Sequence, residues 1–162
     1  MKPSETDTLA FLQRQHPGTI DHRKDHLVET AQKALEVYNK EGNTPAANEW
    51  CAQFGIGGIS ACNAILRKAK LPATEEIELN AIRIGDCAIT TIPFEPFSSI
   101  GESIKERSPF GLTFVNGYCC GYQGYMPNKN AQADGYEGAS TRFMPGTGEE
   151  LADALTEMLK EL

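Results

Sequence analysis

The sequence predicts an α/β fold: a small mixed sheet with flanking helices and an N-terminal helical portion. Three observations predict it. Helical spacing dominates from Asp21 to about Lys70, the texture turns extended and Ile-rich at Glu75, and the chain closes on an amphipathic helix. The expected organisation is a polar arm over residues 1–18, a helical portion over 19–75 and an α/β segment over 76–162.

The arm carries Pro3, Pro17 and Gly18 and reads as a ragged start. Beyond it, Leu27, Val28, Ala31, Leu35 and Tyr38 recur at helical spacing, Glu29/Lys33 and Glu36/Lys40 sit four apart on the other face, and Gly42 supplies a stop. Thr44-Pro45 is a helix opening with threonine in the capping position, and that segment closes at Gly55. A further helix is expected over 59–70, with Ile59, Cys62, Ile65 and Leu66 on one face and Pro72 ending it. Residues 76–84 and 87–92 read as a β-hairpin about Gly85-Asp86. Residues 98–107 return to helical spacing, and 112–118 read as a buried strand, giving a three-stranded sheet. The stretch 117–148 is dense in Gly, Tyr, Asn and Pro, which in an ordered domain marks a functional loop. Thr147-Gly148-Glu149-Glu150 reads as a capping box for a last helix with Leu151, Ala154, Leu155, Met158, Leu159 and Leu162 on its apolar face.

Composition narrows the function. Fifteen basic against 22 acidic residues give a net charge of −7, which repels phosphate backbones and anionic lipid. No apolar run approaches the roughly 20 residues that span a bilayer, and the first residues lack the pattern of a signal peptide, so a soluble, cytoplasmic protein is expected. The five cysteines are odd in number, two of them are adjacent, and none forms a CxxC, so they read as reduced thiols. Helix, glycine turn and helix over 44–70 also match the outline of a DNA reader with Ser60, Asn63 and Arg67 facing bases, a reading the acidic charge disfavours.

Two groups of residues could carry chemistry. Glu95 stands between Pro93-Phe94 and Pro96-Phe97, and a carboxylate in apolar company is costly without a metal, a cation or hydrogen-bond donors. Tyr122 and Tyr125 alternate with Gly121 and Gly124, and Tyr136 follows Gly135. Glycine lets a backbone approach a ligand closely, and a phenol can donate, accept or ligate.

These residues lie in three stretches that keep one order: AIRIGDCAITTIPFEPFSSIGESIKERSP, LTFVNGYCCGYQGYMPN and ADGYEGASTRFMPGTGEEL. Together they resemble the last part of the catalytic domain of neutral/alkaline non-lysosomal ceramidases, especially bacterial relatives, from about Glu76 to Leu162. The resemblance implies a zinc-dependent hydrolase of amide bonds in N-acyl sphingosine or another N-acyl substrate. It implies Glu95 as a zinc ligand and Tyr125, second of a Tyr-x-x-Tyr pair, as a phenolic one. It implies Tyr136 as a catalytic group at the amide and, with Tyr122, as a substrate-binding residue. Zinc would activate water and stabilise the tetrahedral oxyanion, to which a tyrosine donor adds.

The chain departs from the family pattern in named places. Phe94 stands where relatives carry glycine, which is expected to crowd the metal; Cys120 stands where they carry asparagine; and the interval from Tyr125 to Tyr136 is one residue short. The family's two histidine ligands lie far upstream, in a region without a counterpart here, so the zinc site is expected to be incomplete. His22 and His26, four apart in DHRKDH, are a weak substitute at the exposed start of a helix. Two readings follow: an amidase segment that is either a fragment of a longer protein or one half of a split enzyme completed by a companion chain, or a non-catalytic remnant or interaction domain of the same fold.

Overall fold

The computed structural model describes residues 9–131 and 135–162. Among them the fold is mixed α/β, with a four-stranded mixed sheet, a two-stranded ladder and six α-helices. The chain divides into two compact units, Thr19–Thr74 and Glu75–Leu162 together with the residues up to Gly18.

The helical unit holds a 3-10 turn at Asp25–Leu27 and helices α1 (Val28–Glu41), α2 (Pro45–Gln53) and α3 (Ile59–Lys68). Its core is built from small side chains, Ala31, Ala34, Cys51 and Cys62, with Ile56 and Ile65, and Leu27, Leu35, Trp50 and Leu66 close around them. Small residues let the helices approach closely. All five cysteines are free, and the Cys51 and Cys62 sulfurs lie 3.5 Å apart. Thr44 occupies the capping position of α2, yet its hydroxyl makes no cap bond and is buried without a partner among the described residues. Ser60, Asn63 and Arg67 do share an exposed face of α3.

The sheet unit runs β1 (Ala10–Thr19), β2 (Thr74–Ile84), β3 (Cys87–Thr91), β4 (Glu95–Pro96), α4 (Ser98–Arg107), β5 (Leu112–Asn116), β6 (Tyr125–Met126), α5 (Gly135–Ser140) and α6 (Thr147–Glu161). The large sheet has the order β1-β2-β3-β5. β2 and β3 form the expected antiparallel hairpin, with Ile82 opposite Ile89 and Ile84 opposite Cys87. β5 adds parallel to β3, pairing Ile89 with Phe114.

Three expectations are corrected here. Residues 10–19 are a strand rather than an arm, so the sheet has four strands; the polar residues of β1 had hidden it, because this strand lies at a sheet edge where most of its side chains meet water. β5 is the other edge rather than a buried strand, and Leu112 and Phe114 are about half exposed. The start of α6 is not a capping box. Gly146, at φ 102°, is the capping residue, and Thr147 is already helical with its hydroxyl donating to the Met144 carbonyl at 2.9 Å.

The core of this unit uses large side chains: Ile77 and Leu79 from β2, Phe94, Ile104, Phe143, and Leu151, Leu155, Met158 and Leu159 along α6. Phe94 and Phe143 meet edge to face, with centroids 5.4 Å apart. Phe94 is fully buried, so the bulk expected to crowd the site turns into the core instead.

Candidate functional site

β4 and β6 are two residues long and pair in parallel, which sets Glu95 beside Tyr125 and Pro96 beside Met126. The loop between β5 and β6 is laced to the segment that enters β4. Tyr118 N–H donates to the Phe94 carbonyl at 2.8 Å, Cys119 N–H to Ile92 at 3.2 Å and Gln123 N–H to Pro93 at 2.6 Å, while Glu95 N–H donates to Gly124 at 3.0 Å. Gly117 permits this: a Cβ there would lie 2.9 Å from both the Phe94 oxygen and Pro96 Cδ. Tyr118 and Cys120 both take left-handed backbone conformations, φ 56° and 62°, which cost energy for side chains other than glycine.

The lacing brings Tyr118 and Tyr125 to Glu95, and Tyr122 and Tyr136 pack on those two rings. Glu95 acts on both the Tyr118 and the Tyr125 phenol. Tyr122 stacks on Tyr118 with centroids 5.4 Å apart and planes within 6°, and Tyr136, at the start of α5, meets Tyr125 edge to face at 5.9 Å. Tyr118, Tyr122 and Tyr136 are exposed, whereas Glu95 and Tyr125 are half-buried. The hydrogen bond to Glu95, then desolvation and the nearby charge, push the Tyr118 phenol up to about 12. The negative charge of Glu95, then desolvation and its hydrogen bond, also raise Tyr125. Both phenols are therefore held protonated.

Arg142 anchors the loop from the side. Its guanidinium makes a two-pronged pair with Glu75 at 2.6 and 2.8 Å, donates to the Gln123 carbonyl at 3.2 Å and lies 5.0 Å from the Phe143 ring centroid. The Gln123 side-chain oxygen is buried without a partner among the described residues. A separate concavity of about 350 Å³, lined by Ser103, Arg107, Asn128 and Glu149 among others, contains none of these tyrosines.

Glu95, Tyr122, Tyr125 and Tyr136, the residues expected from sequence, thus gather at one place. Tyr118 was missed, because 112–118 read as one buried strand, although Gly117-Tyr118 repeats the Gly-Tyr pattern of the other site residues. Among the described residues no group of three or more His, Cys, Asp or Glu gathers to hold a metal. Glu95 and Tyr125 by themselves fall short of the three protein ligands that a catalytic zinc takes.

The two histidines weighed as substitutes, His22 and His26, belong to the helical unit. His22 has Nδ1 at 2.8 Å from Asp25 and Nε2 at 3.2 Å from the Pro72 carbonyl, so both ring nitrogens are engaged, and His26 Nδ1 donates to the Arg23 carbonyl. The Pro72 carbonyl and then Asp25 raise the pKa of His22.

No family model matches the chain, and no curated protein matches it. Solved neutral ceramidase structures are similar to it. One is a ceramidase complexed with C2, at 21% identity and TM-score 0.46, covering 74% of this chain and 22% of that one. Another is neutral ceramidase from Pseudomonas aeruginosa, at 19% identity and TM-score 0.47, covering 91% of this chain and 28% of that one. The chain therefore spans only about a quarter of the length of either, and likenesses of this size fix neither an activity nor a ligand. No helix of the described residues is long and apolar enough to cross a membrane.

Proposed function

We propose that the chain forms one wall of an amide-hydrolysing site of the neutral ceramidase type, completed by the histidine ligands of a zinc ion from outside these 162 residues, either on the same longer polypeptide or on a companion chain. The observation that carries this reading is the parallel pairing of Glu95 with Tyr125, with Tyr136 against Tyr125. Those are the three positions the family pattern implies, and they come from three separate stretches of the sequence. The substrate class is an N-acyl amine, with N-acyl sphingosine as its namesake.

In this reading zinc, when bound, would activate water and polarise the amide carbonyl. This chain's own contribution is positional. Tyr136 presents an exposed hydroxyl that can donate to the amide oxygen, and that bond strengthens as the oxygen gains charge. Tyr122 adds an exposed aromatic face for the substrate, and the laced loop keeps the phenols in place before substrate arrives.

Zinc content and hydrolysis of an N-acyl sphingosine are to be measured for the purified chain alone and after mixing with a companion chain carrying the two histidines. The expected result is substoichiometric zinc and no turnover alone, with both restored by mixing and lost again in Glu95→Ala. Absence of zinc and turnover in the mixture would favour the second reading, a non-catalytic domain of the same fold. That no three His, Cys, Asp or Glu gather among the described residues is the observation on that side.

A further inference from the structure

The helical unit carries features that the hydrolase reading does not use. α2 and α3 are joined through Gly55-Ile56-Gly57, which lie between the capping residues Phe54 and Gly58. Gly55 takes φ 67°, Ile56 turns into the core beside Cys51 and Cys62, and α1 packs on both helices with Ala31 and Ala34. Two helices joined by a short glycine turn and braced by a third form the frame of a helix-turn-helix, whose second helix enters the major groove of DNA. What α3 presents outward fits that role. Ser60, Asn63 and Arg67 share one exposed face, and Lys70, in the turn that follows the helix, continues it. Serine and asparagine can hydrogen-bond base edges, and arginine can bind guanine with two bonds. Ahead of α3, open space lies where a Cβ on Gly57 or Gly58 would stand, so a phosphate backbone can come close.

The acidic charge that disfavours this reading lies elsewhere in the chain. No acidic residue occurs between Glu49 and Glu75, and Thr19–Thr74 holds seven Lys and Arg against six Asp and Glu, so the negative excess belongs to the sheet unit. Salt limits the reach of distant carboxylates to about 10 Å at 0.1 M. Burial, then the nearby charges of Lys24, Arg23 and Arg67, lower the pKa of Lys68 against the pull of Asp21, so four cations crowd the end of α3. Asp21 is paired with Arg23 at 2.7 Å, while Lys24, Arg67 and Lys68 enter no ion pair among the described residues. The groove selects the nucleic acid. The major groove of B-form DNA is about 12 Å wide and admits a helix, whereas that of an RNA duplex is too narrow for side chains to read.

We propose that the helical unit binds duplex DNA, with α3 in the major groove, Ser60, Asn63 and Arg67 at the base edges, and Lys24, Lys68 and Lys70 on the phosphates. This goes beyond the hydrolase reading and does not depend on it, because it uses no residue of the Glu95 site.

The test uses the full chain and a fluorescently labelled pool of short DNA duplexes of randomised sequence. Anisotropy is measured at about 50 and about 200 mM salt, and tight binders are then selected from the same pool. Saturable binding is expected at the lower salt, weakened at least about tenfold at the higher, with enrichment of a short sequence preference. Lys70→Ala is expected to weaken every duplex about equally, by about threefold, and to lower the salt slope by about 1. Asn63→Ala and Arg67→Ala are each expected to lose about tenfold on the selected sequence and to relax its preference. These positions are exposed and alanine favours a helix, so the variants keep the fold. No binding at the lower salt, binding without sequence enrichment, equal affinity for an RNA duplex of the same length, or unchanged binding in an Arg67→Ala/Lys70→Ala double variant would overturn the proposal. Binding of polyglutamate in place of DNA would overturn it too, and would assign the cations to an acidic protein. None of these outcomes touches the hydrolase reading, which is decided by zinc and turnover.

Discussion

The helical unit and the sheet unit solve the same packing problem with different materials. The first closes around alanines and cysteines, and each of its left-handed residues is a glycine: Gly42, Gly55 and Gly58. The second closes around phenylalanines and long aliphatic side chains, and on its surface Tyr118 and Cys120 hold left-handed conformations without being glycine. Strain survives where a rigid neighbour over-determines the backbone, and here four hydrogen bonds to residues 92–95 and to Gly124 do so. That contrast separates a unit built for close packing from one that holds reactive side chains in place.

The sharpest way to break the contrast is to remove the support beneath the loop. Phe94→Ala empties a fully buried position that packs on Phe143, and a loss of about 3–5 kcal/mol is expected in urea unfolding, with broadening of the Tyr118 and Tyr122 resonances. Gly117→Ala acts on the lacing itself. Its Cβ collides with the Phe94 carbonyl and the Pro96 ring, so a loss of about 1–3 kcal/mol and release of Tyr118 are expected, while the tight core of α1 to α3 keeps its own hydrogen-exchange protection.

Much of this fold was legible in sequence, and the exceptions share a cause. α4 and the β2–β3 hairpin follow from spacing and turn residues, which are local signals. β1 and the edge position of β5 do not, because strand order depends on partners distant in sequence, and a polar strand at an edge looks like a loop. The site shows the same division. Glu95 and Tyr125 could be named from motifs, but their pairing needs β4 and β6, each only two residues long and too short to read as strands. That Tyr118 would join Glu95 and Tyr125 was beyond the sequence as well, because its place is decided by the tertiary lacing of the loop.

Two smaller effects sharpen the account of the helical unit. Burial first, then the hydrogen bond with Cys51, raises the Cys62 thiol to about 11. Alkylation with iodoacetamide at mildly alkaline pH is therefore expected to modify the exposed Cys120 about a hundredfold faster than Cys62. The stability linked to the protonated Cys62 thiol is full below its ordinary value of 9.0 and is lost as pH rises toward 11. For His22 the sign is the same at lower pH. Its raised pKa favours the charged ring in the folded state, so its contribution is full below 6.5 and fades as pH climbs through the raised value. In His22→Ala the melting temperature is expected to lose that gentle dependence.

The account rests on Glu95 organising the tyrosines, and titration of Tyr118 by ring-carbon NMR tests this most directly. In the native chain Tyr118 is expected to ionise near 12, and in Glu95→Gln to fall toward the ordinary phenol value of 10.0. An unchanged titration in that variant, or a Tyr118 that already ionises at the ordinary value in the native chain, would contradict it.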